Sequence, residues 1–224
     1  MRVALVYDRL NKIGGAERVL VAFRQLFPQA DWYTSFWDPA STPFTHGWTI
    51  HTSPFNRFSW IRRHHEYFPW LMPFIFESFN FSNYDLVISI GSAEAKGIIT
   101  RPGTLHLHYC LTPTRYLYSH ASEYLHNPLY RFIGHYLRCW DQVAATRPDQ
   151  MIAISTQVKN RINKYYGRVS SIIFPPVDTH KFSTPHRTLS IDHIPSSYFL
   201  VVSRLVPYKK IDVIVRAFNR LPEH

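Results

Sequence analysis

The sequence predicts an α/β protein built on a mostly parallel, doubly wound sheet, followed by the opening strand and helix of a second domain. Three observations lead there. Short continuous apolar runs recur along the chain, the pattern of strands covered on both faces. Stretches with apolar residues at three- and four-residue spacing alternate with them, as amphipathic helices require. The last such pair, from Tyr198 to Leu221, follows a polar stretch and falls short of the roughly 40 residues needed to bury a core unaided.

Taken in order, Val3, Ala4, Leu5, Val6 and Tyr7 form the first buried strand. A loop ending in Gly14-Gly15 leads to a helix whose stripe is Ala16, Val19, Leu20, Phe23, Leu26 and Phe27. Residues 31–36 and 48–52 read as short strands, 85–90 as another buried strand, and 105–110 as a strand ending at Thr112-Pro113. The clearest helix starts at Asn127-Pro128, a polar cap with proline at the first helical position. Leu129, Phe132, Ile133, Tyr136, Leu137, Trp140, Val143 and Ala144 then hold one face. Residues 151–154 form a strand, Ser155 caps a helix striped by Val158, Ile162 and Tyr165, Gly167 ends it, and 171–174 is one more strand. Residues 1–174 are thus one domain, 175–197 a linker, and 198–224 a strand, a basic turn and a helix, so the chain reads as unfinished.

Composition narrows the classes. An apolar content of 46% and an aromatic content of 16% suit a sizeable core and exclude general disorder. The net charge of +10 predicts attraction to something anionic without naming it. Cys110 and Cys139 are too few for a disulfide framework and read as buried, reduced thiols. The first apolar run is too short for a signal peptide, and no run approaches the roughly 18 residues of a membrane span. A cytoplasmic protein is expected.

Few residues suggest chemistry. Gly14 and Gly15 stand between a strand and a helix, where backbone amides can face a phosphate or where a tight turn needs positive φ. Arg204 and Lys209 lie between the last strand and helix, placed either to hold a diphosphate or to be a solvated turn. Between Asn56 and Phe79, Arg57, Arg62 and Arg63 interleave with Phe58, Trp60, Tyr67 and Trp70. That mixture suits a lipid headgroup interface, single-stranded nucleic acid, or a packed helix with a basic outer face, and Pro69 and Pro73 prevent one long helix. His106 and His108 share a strand face without a third ligand, which favours structural histidines over a metal. No recognition helix or RNA-binding signature supports nucleic acid, and no catalytic triad stands out.

Five segments in order carry a resemblance to a known family. They are Val6-Tyr-Asp-Arg-Leu with Gly14-Gly-Ala-Glu-Arg-Val19, Tyr84-Asp-Leu-Val-Ile-Ser89, Tyr109-Cys-Leu-Thr-Pro-Thr-Arg-Tyr116, Ile152-Ala-Ile-Ser155 with Phe174-Pro-Pro-Val-Asp178, and Val202-Ser-Arg-Leu-Val-Pro-Tyr-Lys209. The chain resembles glycosyltransferase family 4, retaining enzymes with two Rossmann-like domains (the GT-B fold), most closely bacterial mannosyltransferase-like members of lipopolysaccharide and exopolysaccharide synthesis. The resemblance implies a Rossmann-like acceptor domain and an incomplete donor domain. It implies that Gly14, Gly15, Arg204 and Lys209 hold the diphosphate of a nucleotide-sugar donor. It also implies that Arg57, Trp60, Arg62 and Arg63 belong to an acceptor face meeting a lipid-linked or glycan acceptor. No metal or cofactor is implied, nor nucleic acid, and the protein would sit in the cytoplasm, peripherally on the inner membrane face. Two departures follow. Leu111 stands where such enzymes carry a histidine, and the family's paired glutamates lie beyond His224, leaving the catalytic residues unassigned. A non-catalytic domain that docks on a membrane or a partner subunit is the alternative.

Overall fold

A computed structural model of the chain describes residues 1–124, 127–179, 198–203, 205 and 209–221. The chain divides into two compact units, Met1–Val177 and Asp178–His224.

The first unit is a seven-stranded sheet in the order β3-β2-β1-β4-β5-β6-β7, parallel at every pairing. Its strands are β1 (Val3–Tyr7), β2 (Asp31–Thr34), β3 (Ile50–Thr52), β4 (Leu86–Gly91), β5 (Leu105–Cys110), β6 (Gln150–Ala153) and β7 (Ser170–Ile172). The helices are α1 (Gly15–Leu26), α2 (Ser59–Arg63), α3 (Met72–Glu77), α4 (Ala121–Tyr124), α5 (Pro128–Ala144) and α6 (Thr156–Tyr166). The fold class read from the sequence holds at this level: the sheet is α/β, all-parallel and Rossmann-like. Chain order reverses between β1 and β4, so their carboxyl ends flank a topological switch point.

Strand alternation sorts the core into two layers. Leu5 and Tyr7 of β1 pack with Val19 and Leu20 of α1, Trp32 and Ile88. Ala4 and Val6 face the other way, toward Phe76 of α3, Phe81 and Val87. Register carries Val6 through Ser89 and His108 to Met151, and this second face is closed at its far end by Val158 and Ile162 of α6. Every residue of β4 is buried, which fits a run that is apolar except for Ser89.

Helix ends follow the predicted chemistry. Asn127 accepts from the Leu129 amide, Ser155 accepts from the Val158 amide, and Gly167 terminates α6 at a left-handed φ of 64°. Pro54, Pro69 and Pro73 each open a new turn, so residues 54–77 form short helices rather than one long one. Two expectations need correction. Cys110 is buried but Cys139 is exposed. The apolar stripe of α5 is also split: Leu137 and Ala144 are buried, whereas Leu129, Phe132, Tyr136 and Val143 are exposed.

In the second unit, α7 spans Ile211–Phe218, shorter than the helix to Leu221 read from the sequence. Residues 198–203, expected to be a strand, have no strand pairing among the described residues. A strand is stabilised through its ladder to a neighbour. The Phe199 and Phe218 rings lie 5.1 Å apart, but Val213, Val215 and Phe218 remain open to solvent. Most of the expected linker, residues 180–197, lies outside the described residues.

His106 and His108 are structural. Ser89 Oγ sits 2.8 Å from His106 Nε2 and 2.9 Å from His108 Nδ1, which also lies 3.1 Å from the Ser89 carbonyl. A carbonyl only accepts, so His108 Nδ1 carries the hydrogen and Ser89 donates to His106. Burial lowers His106 to about 4 and His108 well below its ordinary value. The unfolded chain therefore takes up protons below about pH 6.5 that the fold excludes, and stability falls with pH from there. Denaturant unfolding between about pH 7 and about pH 5 should show a loss of up to ~1.4 kcal/mol per pH unit for each histidine.

Candidate functional site

The β1 and β4 ends are joined by one buried carboxylate. Asp8 directly follows β1, next to Gly91 in register. Its Oδ2 accepts from the amides of Ser92 at 2.8 Å and Ala93 at 3.1 Å, and its Oδ1 from Ala95 at 2.8 Å. Burial and then the Glu94 charge push its carboxyl up, while Arg9 and these amides pull the other way. A Cβ on Gly91 would lie 2.6 Å from Asp8 Oδ2, so glycine is what lets the carboxylate approach.

The amides fix a short turn, Glu94–Gly97, that carries two charged side chains in opposite directions. Glu94, only 2% exposed, accepts from Arg9 Nη2 at 3.0 Å and from the Tyr116 hydroxyl at 2.6 Å. Burial and the Glu94 charge hold the Tyr116 hydroxyl far up, so it stays a donor. Three strand-end loops thus meet on one carboxylate. Arg9 Nε is buried without a partner among the described residues. His65, buried and bonded through Nδ1 to the Arg62 carbonyl at 2.9 Å, is held neutral by its burial and then by the Arg9 charge.

Lys96 turns inward. Its ammonium donates to the Ala93 carbonyl at 2.6 Å and to Asp141 of α5, while Thr114 donates to the same Asp141 oxygen at 2.7 Å. Burial pulls the Lys96 ammonium down, but the Asp141 charge outweighs it and the group is held charged. The pair ties the β4 and β5 loops to α5 and anchors the rim from beneath.

The predicted phosphate site has a different local character. Gly14 has an extended φ of −158° and Gly15 is not left-handed, so neither needs glycine for positive φ. Nothing lies within 4 Å of a Cβ on Gly15, whereas one on Gly14 would lie 3.0 Å from Glu17 Oε2, so the start of α1 is open at Gly15 alone. Gly14 is the helix cap without a side-chain bond, but Glu17 occupies the first turn, buried and accepting from Tyr7 at 3.0 Å. Of the two expected cations, Lys209 is exposed in the second unit and Arg204 lies outside the described residues. The four diphosphate residues are therefore not assembled on one unit. Leu111 packs against the α1-side core, and no imidazole occupies that position.

The predicted acceptor face is an outer surface of the first unit. Arg57 and Arg63 are exposed, Trp60 is 60% exposed, and Arg62 is half-buried, reaching the Asn56 carbonyl at 3.4 Å. Among the described residues no helix can cross a membrane, and no cluster of three or more metal-ligating side chains exists.

Asp8, Arg9, Glu94, Lys96, Tyr116 and Asp141 drew no functional role from the sequence. The one available signal was a charge directly after a fully apolar strand, at Asp8-Arg9; its partner Glu94 is 85 residues away. No family model matches the sequence, and no curated protein matches it either.

The geometry separates the glycines. Gly91→Ala must displace a carboxylate pinned by three amides and should cost about 1–3 kcal/mol. Gly15→Ala meets open space and should stay within about 0.5 kcal/mol of the parent. Urea unfolding of the two variants measures the contrast.

Proposed function

We propose that this chain is the acceptor-side part of a retaining glycosyltransferase of the GT-B type, acting in cell-surface glycan synthesis. The observation that carries the reading is the switch point, where Arg9, Glu94 and Tyr116 meet at the carboxyl edge of an all-parallel sheet. Five sequence segments resembling family 4 support it along the whole chain.

In this reading a nucleotide-diphosphate sugar is the donor. Arg204 and Lys209 supply positive charge to its diphosphate, and the Gly14-Gly15 start of α1 gives close backbone approach. Glu17 already fills part of the first turn, so the two cations carry most of the neutralisation. The acceptor hydroxyl oxygen forms a bond to the anomeric carbon, with retained configuration, and its proton passes to an oxygen of the departing diphosphate. The bond to the diphosphate breaks, and the leaving group departs with the electron pair and its charge. Arg9 supplies positive charge to a sugar or anionic oxygen at the rim, while Glu94, occupied at both oxygens, positions Arg9 and Tyr116. The acceptor is lipid-linked, and Arg57, Trp60, Arg62 and Arg63 hold the protein peripherally on the inner membrane face.

A second reading, a non-catalytic domain docked on membrane or partner, is favoured by one specific feature. Leu111 buries an apolar side chain where the resemblance calls for histidine. Labelled nucleotide-sugars, incubated with the protein as its own cells produce it and with their membrane lipids, decide between the two. The enzyme reading expects label in a lipid-extractable or polymeric product, lost by more than about tenfold in Arg9→Ala. Transfer from no donor, with membrane binding intact, supports the docking reading.

A further inference from the structure

The exposed flank of α5 has no role in the site described above. At 100° per residue, Leu129, Phe132, Tyr136 and Val143 fall within a sector of about 60°, along roughly 21 Å of helix. Leu129 is 63% exposed and Phe132 74%. The inward face of α5 is already complete, with Gly134, Leu137, Asp141 and Ala144 buried. A helix covered on one side gains nothing in water from a second apolar stripe.

We infer that this stripe is a second lipid-contacting element, seated in an anionic bilayer surface together with residues 57–74; the inference rests on the peripheral membrane reading above. The two surfaces meet at one junction. Glu77 of α3 accepts from Trp140 Nε1 at 2.6 Å and from Arg147 at 2.7 Å. Phe74 is one turn before Glu77, Tyr136 one turn before Trp140, and both are exposed. Beyond the junction lie exposed Trp70, Tyr67, Trp60 and Phe58. Tryptophan and tyrosine suit the boundary between headgroups and acyl chains, where an apolar ring and a polar edge are both satisfied.

Charge selects the occupant. Arg57 and Arg63 are exposed, whereas Asp141, the only acid of α5, is buried beneath Lys96. Glu77 is committed to Trp140 and Arg147, leaving Glu66 as the exposed acid between residues 56 and 79. A second copy would bring two such basic surfaces together, each on a chain already at +10. Anionic headgroups meet the same arginines with opposite charge while the rings enter the apolar layer.

Cys139 provides the reporter. It is exposed on the flank of α5, whereas burial pushes the Cys110 thiol up to about 12 and keeps it unreactive. An environment-sensitive dye on Cys139 should shift to the blue with vesicles of neutral lipid containing about one quarter anionic lipid, and not with neutral vesicles. Leu129→Ser with Phe132→Ser should weaken vesicle binding by about tenfold or more at unchanged circular dichroism. Trp60→Ser with Trp70→Ser, on the other surface, should weaken it independently. If the parent binds and the α5 variant binds equally well, or the dye stays in water, the α5 inference fails and the 57–74 surface stands. If the parent binds no anionic vesicle, both fail. Sedimentation showing a dimer that the α5 variant abolishes, without vesicle binding, assigns the stripe to a second copy and overturns the inference.

Discussion

The first unit is organised around the approach of the Asp8 carboxylate to Gly91. Without a side chain at position 91, the carboxylate can reach the amides of Ser92, Ala93 and Ala95. Those bonds set the turn that points Glu94 toward Arg9 and Tyr116 and sends Lys96 down to Asp141. Burying a charge is tolerable only when its hydrogen-bonding capacity is met, and here three amides meet it. Removing any one partner leaves a buried polar group uncompensated. The rim is therefore coupled: β1, β4, β5 and α5 share one network, and disturbance at Asp8 reaches all four.

The same network connects the two candidate surfaces. His65 belongs to the short, proline-broken helices that present Trp60 and Arg63 outward, yet its ring is buried and feels the charges of Arg9 and Glu94. One segment thus has an inner side against the switch point and an outer side rich in rings and arginines. That arrangement suits an enzyme that takes its acceptor from a lipid surface, since the docking face and the reacting edge are then parts of a single element.

Local patterns made most of the fold legible in the sequence. The apolar runs of β1 and β4, the alternation of β5, the Asn127 and Ser155 caps and the Gly167 stop each state their role within a few residues. Periodicity could not say which flank of α5 meets the core, because Leu129 and Leu137 look alike until packing separates them. Residues 198–203 have strand composition, but pairing depends on a neighbour that composition does not reveal. The rim was least legible of all. Arg9 and Glu94 come together only because parallel register sets β1 beside β4, and no local spacing encodes that meeting.

Amide hydrogen exchange with and without nucleotide-diphosphate sugars tests most directly whether the switch point is the working site. Slowed exchange at the start of α1, residues 14–18, and in the turn at 92–95 is the expected result. Protection confined to other parts of the sheet, or absent for every donor at saturating concentration, would contradict the account.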